Sequence, residues 1–180
     1  MKKSSILILI IICLVGCKKG SNETTITGEI KGLGTDTLYL YGMDELYDRI
    51  DTIYVENDKF SYTTSVDTIT SAYLLLKNRI EYPVFLDKGN KIKIKGDTIN
   101  LNFLTISGNI YNEEFTDFQK ALEDPADPSE KAGEETVDKR ITVEKANTAE
   151  EMAEEFILQH HSSYVSLYLL DKYFVQKETP

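Results

Sequence analysis

The 180-residue sequence has no tryptophan, two cysteines, two histidines and four prolines. Each shortage excludes something. Cys13 and Cys17 both lie near the start of the chain. Everything after them is free of disulfides, free thiols and Cys-x-x-Cys, so stability must come from packing, and thiol redox chemistry is excluded for the chain as given. The histidines, His160 and His161, are adjacent. On a helix such neighbours do not share a face, unlike the i, i+4 pair of a zinc helix, so a polar pair at a helix end is expected and no metal. The sequence has no calcium-loop spacing of aspartates, no G-x-S-x-G elbow and no phosphate-binding glycine loop. Ser162 and Ser163, which follow the histidines, read as a helix N-cap. Glu81, Asp87 and Asp97 have no spacing that defines a carboxylate pair. No cofactor and no catalytic residue is implied.

Basic residues are also short: 20 Lys and Arg face 30 Asp and Glu, a net charge of −10. Nucleic acid wants a basic surface, so it is excluded as a partner. The same balance argues against electrostatic adhesion to anionic lipid and reads mainly as a solubility feature.

One long apolar run is present. Lys2 and Lys3 precede an uncharged stretch from Ile6 to Val15. A run of about ten residues is too short for a bilayer, which needs ~20 in a helix, but it suits the core of a signal peptide. It ends in Leu14-Val15-Gly16-Cys17, which resembles the bacterial lipobox. In that pattern the peptide bond before the cysteine is cut and the thiol is acylated. Residues 1–16 are therefore read as a lipoprotein signal peptide, and 17–24 as a lipidated tether ending in Thr24. The membrane, held through acyl chains on Cys17, is the first expected partner. Cleavage would leave one domain's worth of chain.

Residues 25–108 read as antiparallel β. "TTITGEIKG" and "TLYLYGM" are set to pair as a hairpin across "LGTD", as are "DRIDTIYVEN" and "DKFSYTTSV" across Glu56-Asn57-Asp58. "SAYLLLK" is apolar enough for a central strand, and Pro83 puts "YPVFLDK" at an edge. Gly89-Asn90 marks a turn into "KIKIKG", with Ile92 and Ile94 inward and lysines outward; "INLNFLTISG" is the last strand. About eight short strands predict an antiparallel sandwich or partly open barrel. Residues 109–180 read as helical. Phe115, Phe118 and Leu122 share one helix face, Thr148 and Glu151 form a capping box, and Tyr164 to Phe174 is amphipathic. Asp124 to Glu135, with two prolines and a glycine, reads as a loop. The fold class is α+β, mainly β with C-terminal helices.

These segments resemble a family. "ITGEIKGLGTDTLYLYG", "IDTIYVENDKFSYTTSV", "YPVFLDKGNKIKIKGD" and "ISGNIYNEEFTDF", placed after a lipobox, are similar to a domain of unknown function common in lipoproteins of Bacteroidota. The resemblance covers about Ile26 to Phe174. In that family the domain usually precedes a thioredoxin-like domain, in thiol–disulfide interchange lipoproteins. The resemblance implies an envelope lipoprotein, and the lack of acidic residues directly after Cys17 implies an outer-membrane protein facing the periplasm. The sequence stops at Pro180, about where a linker to a redox domain would begin, and holds no redox residue to inherit that activity.

Three functional readings follow. The first is a non-catalytic accessory domain that meets an envelope protein or a thioredoxin-like domain. The second is the N-terminal part of a thiol–disulfide oxidoreductase. The third is a small-ligand or glycan binder on a tyrosine-bearing β face. The chain has eleven tyrosines, with Tyr39, Tyr41, Tyr54, Tyr62 and Tyr73 in strands. Tyr39 and Tyr41 share a strand face and are the candidate partner-binding pair. The ligand reading expects exposed tyrosines beside a concavity.

Overall fold

Alternation of period two sets the strands. In Lys91–Asp97, Ile92 and Ile94 are buried while Lys91, Lys93 and Lys95 are exposed, and Asp36–Gly42 buries Leu38 and Leu40 between exposed or half-exposed tyrosines. The computed structural model describes residues 22–43, 45–123 and 148–176. The signal peptide with Leu14, Val15 and Gly16, Cys17, most of the tether and the stretch at 124–135 lie outside the described residues.

The strands are β1 Glu23–Lys31, β2 Asp36–Gly42, β3 Ile50–Val55, β4 Lys59–Ser65, β5 Thr70–Leu75, β6 Glu81–Leu86, β7 Lys91–Asp97 and β8 Thr105–Ser107. They form two four-stranded sheets, sheet I in the order β4-β1-β7-β8 and sheet II in the order β3-β2-β5-β6. The expected α+β sandwich is present, with no closed barrel. The core lies between the sheets: Ile26, Ile30, Leu38, Leu40, Leu74 and Ile92 are each fully buried. Gly28 has a steric role there. A Cβ at Gly28 would meet the ring of its register partner Phe60 at 2.1 Å, so the glycine makes room for that ring.

The hairpin expected of β1 and β2 is instead a crossing, and the one expected of β3 and β4 closes only at its tip, where Glu56 and Lys59 form one antiparallel bridge before the strands part. β1 and β2, β3 and β4, and β6 and β7 follow one another in the chain but lie in different sheets. Alternation decides which face of a strand is buried and leaves its partner open, and both sheets bury the same kind of residue. Loop contacts hold the crossings. Asp58, in the β3–β4 turn, accepts from Gly34 N–H through its carboxylate at 2.6 Å and donates its own N–H to the Gly34 carbonyl at 2.8 Å. One pair also departs from the antiparallel expectation: β1 and β7 run parallel, with Thr25 beside Lys91. The inner place of β5 and the edge place of β6 agree with the sequence reading, and the two strands pair with each other. The last strand is shorter than "INLNFLTISG". Asp97 accepts from the N–H groups of Ile99 and Asn100, which turns the chain and delays β8 to Thr105.

The helices are α1 Ile110–Glu123, α2 Ala149–Gln159 and α3 Tyr164–Leu170, the last continuing as a π-helical turn over Asp171–Val175. Thr148 and Glu151 form the capping box of α2, and Ser163 caps α3. α1 closes the side of the sandwich where the edges β6 and β8 meet. Asn112 accepts from Phe85 N–H at 3.0 Å and donates to the Phe85 carbonyl at 2.8 Å, completing the free edge of β6. One turn on, the Thr116 hydroxyl does the same for β8, accepting from Ile106 N–H and donating to its carbonyl, both at 2.9 Å. Tyr82 bridges the same gap by bonding the backbone of Leu104.

The opposite side is closed by Tyr47, Arg49 and Asp51. Arg49 Nε lies 3.2 Å from the Asp51 carboxylate and its guanidinium donates to the Ser65 carbonyl at the end of β4. Tyr47, buried, donates to Asp51 and lies 3.2 Å from the Thr64 hydroxyl.

Two predictions follow from these closures. Asn112→Ala strands the buried Phe85 N–H at a sheet edge, while the Phe85 carbonyl keeps its bond from the Asn109 amide, and should cost about 1–3 kcal/mol, read as a lower urea midpoint; Thr116→Val should also cost about 1–3 kcal/mol. Burial, and then the hydrogen bond to Asp51, push the Tyr47 phenol up to about 12. An unfolded chain releases this proton near pH ~10, so the folded state holds it more tightly. The resulting stability is full below about pH 10 and is lost as pH rises towards about 12. Circular dichroism against pH should show a flatter alkaline limb for Tyr47→Phe than for the parent.

Candidate functional site

The alternation that buries Leu38, Leu40, Ile53 and Leu74 sends a second set of side chains outward from sheet II. Tyr39 and Tyr41 leave β2 on the same outer face, as expected. Register places Tyr39 between Thr52 of β3 and Leu75 of β5, and Tyr41 between Ile50 and Tyr73. Tyr54 stands beside Thr37 one pair further on. Tyr54 and Ile50 are 74% and 73% exposed and Tyr39 is 41% exposed, whereas Tyr41 and Tyr73 are half-buried. The outer face is thus an aromatic and aliphatic lattice, open at β3 and β2. Tyr62 does not belong to it; it packs against the core from β4.

The helices cover only the other flank of this face. Phe85, on β6, is fully buried although it points outward, because Tyr111, Phe115 and Tyr168 surround it with ring centroids 6.2–6.4 Å away. The boundary of the open part is polar. The Tyr41 hydroxyl donates to the Glu81 carboxylate, and its ring lies 5.7 Å from that of Tyr73. Burial, followed by that hydrogen bond, raises the Tyr41 pKa well above the ordinary tyrosine range. Tyr73 is also raised, by burial and then by the charges of Glu81 and Asp171. Lys172, in the π-helical turn, is lowered by burial.

A shallow cavity of about 240 Å³ lies elsewhere, lined by Tyr111, Glu114, Gln159 and the residues from His160 to Ser163. It contains none of the sheet tyrosines, so the tyrosine face stands apart from this concavity. His160 Nδ1 is 3.7 Å from Glu114, and its ring stacks on Phe156 at 4.3 Å. Ser163 donates to Glu114 and accepts from Val165 N–H, which commits its hydroxyl to capping. Among the described residues no group of three His, Cys, Asp or Glu has the arrangement of a metal site. Glu81, Asp87 and Asp97 are engaged separately, by Tyr41, by the Lys88 N–H and by the turn after β7.

Sequence reasoning found Tyr39 and Tyr41 but did not join Ile50 and Tyr54 to them. The signal was available, since "IDTIYV" puts Ile50, Thr52 and Tyr54 on one face. It lacked the pairing of β3 with β2.

Fold and surface together define a small two-sheet sandwich, closed by a helix, with one open aromatic face. Residues 24–115 match the family described as Domain of unknown function (DUF4369), and the chain belongs to that family. The match takes in β1 from its second residue, the other seven strands and the start of α1, including Asn112. No curated protein and no solved structure matches the chain. Among the described residues no helix is long and apolar enough to cross a membrane.

Glu81→Gln should lower the pKa of Tyr41 towards the ordinary range, because a neutral acceptor no longer opposes the phenolate. Phenolate absorbance during an alkaline titration, compared with that of Tyr41→Phe, checks this.

Proposed function

We propose that this chain is a non-catalytic lipoprotein of the bacterial cell envelope, anchored at the outer membrane through acyl chains on Cys17 and facing the periplasm. Its DUF4369 domain docks another envelope protein on the outer face of sheet II. The resemblance to N-terminal domains of thiol–disulfide interchange lipoproteins makes a thioredoxin-like domain, in the same chain or a separate one, the expected class of partner.

The observation that carries this reading is the open lattice of Tyr39, Ile50 and Tyr54, with half-buried Tyr41 at its edge. Tyrosine offers a large contact area with two side-chain torsions to fix, so it supports tight contact at low entropic cost. A sheet surface suits a protein partner better than a small ligand, which needs a concavity. The sequence from Leu14 to Cys17 supports the anchor.

Two measurements test the reading. The mass of the protein taken from its own membranes should equal a chain beginning at Cys17 plus acyl groups; a mass without them removes the anchor. A photo-crosslinking residue at position 39 should give one discrete adduct in the native envelope, and the same residue at position 61 should not. Tyr54→Ala should reduce that adduct at least about tenfold without moving the unfolding midpoint. No adduct, or equal adducts from both positions, would remove the docking face.

A further inference from the structure

The outer face of sheet I is basic, on a protein that is acidic overall. β7 sends Lys91, Lys93 and Lys95 outward above the buried Ile92 and Ile94. Alternate residues of a strand stand about 6.6 Å apart, so the three stems make a column of about 13 Å. Hydroxyls flank it. Thr25 and Thr27 lie beside Lys91 and Lys93, with Thr63 and Ser61 beyond them, and Ser107 and Thr105 stand on the other side. Lys31 and Lys59 complete five lysines on this face, against the carboxylates Glu23, Glu29 and Asp97. Glu29 lies 3.9 Å from Lys59, and Asp97 is held by the turn that follows it. Among the described residues Lys91, Lys93 and Lys95 make no ion pair.

A second observation is where the chain enters the domain. Five residues, 18–22, separate Cys17 from β1, and two of them, Lys18 and Lys19, are basic. Fully extended, that segment reaches about 20 Å. β1 runs parallel to β7 with Thr25 beside Lys91, so the chain enters next to the first lysine of the column. An acyl anchor on Cys17 would keep this end of the face within about 20 Å of the headgroup layer. The balance over the whole chain points the other way. Screening, however, limits the charges that matter to those within about 8 Å of the lipid, and on this face lysines outnumber carboxylates.

We propose that the outer face of sheet I, through Lys91, Lys93, Lys95 and the hydroxyls beside them, rests on anionic phosphate headgroups of the membrane that anchors the chain. This inference rests on the lipid-anchor reading above.

The test uses the full acylated chain in vesicles of phosphatidylcholine alone, or of phosphatidylcholine with an equal part of phosphatidylglycerol. Amine acetylation followed by peptide mass spectrometry reads each lysine. Lys91, Lys93 and Lys95 should label at least about fivefold more slowly on the anionic vesicles. High salt should abolish the protection, and Lys77, in the β5–β6 turn of sheet II, should not change. The combined Lys91→Gln, Lys93→Gln and Lys95→Gln variant, altered only at exposed positions, should lose the protection of Lys31 and Lys59. Equal labelling on both vesicles overturns the proposal. Protection found only in whole envelopes also overturns it, in favour of an acidic polysaccharide or protein. Failure of the anchor is separate and is read from the mass. In that case flotation of the unacylated chain with anionic vesicles at low salt decides: loss of flotation in the triple variant supports the face, and no flotation by the parent overturns it.

Discussion

The fold depends on how the sandwich closes where two sheet edges meet. β6 and β8 end their sheets on the same side, and each leaves backbone groups without a strand to bond them. A buried, unpaired amide or carbonyl costs more than an average hydrogen bond returns. Asn112 and Thr116, one turn apart on α1, act as substitute strand residues, each satisfying both the N–H and the carbonyl of one edge residue. The approach to the helix is fixed as tightly. Gly108 has φ +112°, and a Cβ there would meet the Lys91 carbonyl at 2.2 Å. Asn109 caps α1 by accepting from Asn112 N–H, and its amide also reaches the Phe85 carbonyl.

That closure determines which surface stays open. α1 brings Phe115 and Tyr111 against Phe85, and α3 adds Tyr168, so the β6 flank of sheet II joins a second aromatic core. Pairs of this kind add about 0.5–1.5 kcal/mol each beyond their buried area. Both helices stand on the same side of the sandwich as β6. Among the described residues, Tyr39 of β2 and the outward residues of β3 therefore remain exposed, and the exposed tyrosines follow from where the helices had to go.

Much of the fold was legible in the sequence, because period two in strands and side-chain capping at helix starts are local signals. Ile92 and Ile94 against three lysines, Thr148 with Glu151, and Ser163 before α3 each follow from neighbouring residues alone. Strand partnership does not. The turn at Asn57 and Asp58, both at positive φ, joins two strands that belong to different sheets. The parallel alignment of β1 with β7 joins residues more than sixty positions apart. The candidate site was half legible for the same reason. Tyr39 and Tyr41 share a strand, but Ile50 and Tyr54 join them only through the register of β3 on β2.

Whole-chain charge is blind to placement in a related way. A net charge of −10 describes an average, whereas a β-sandwich sorts alternate residues onto two outer faces that point in opposite directions. Sheet I exposes lysines and hydroxyls; sheet II exposes tyrosines and aliphatic groups. If the first face rests on the anchoring membrane, the second must look away from it. A docking face so turned is open to a partner in the periplasm and closed to the lipid that its exposed tyrosines and isoleucine would otherwise enter. The two proposals thus constrain each other. On that reading an acyl chain alone would let the domain tumble about its tether, and the lysine column would supply the contact that fixes its orientation.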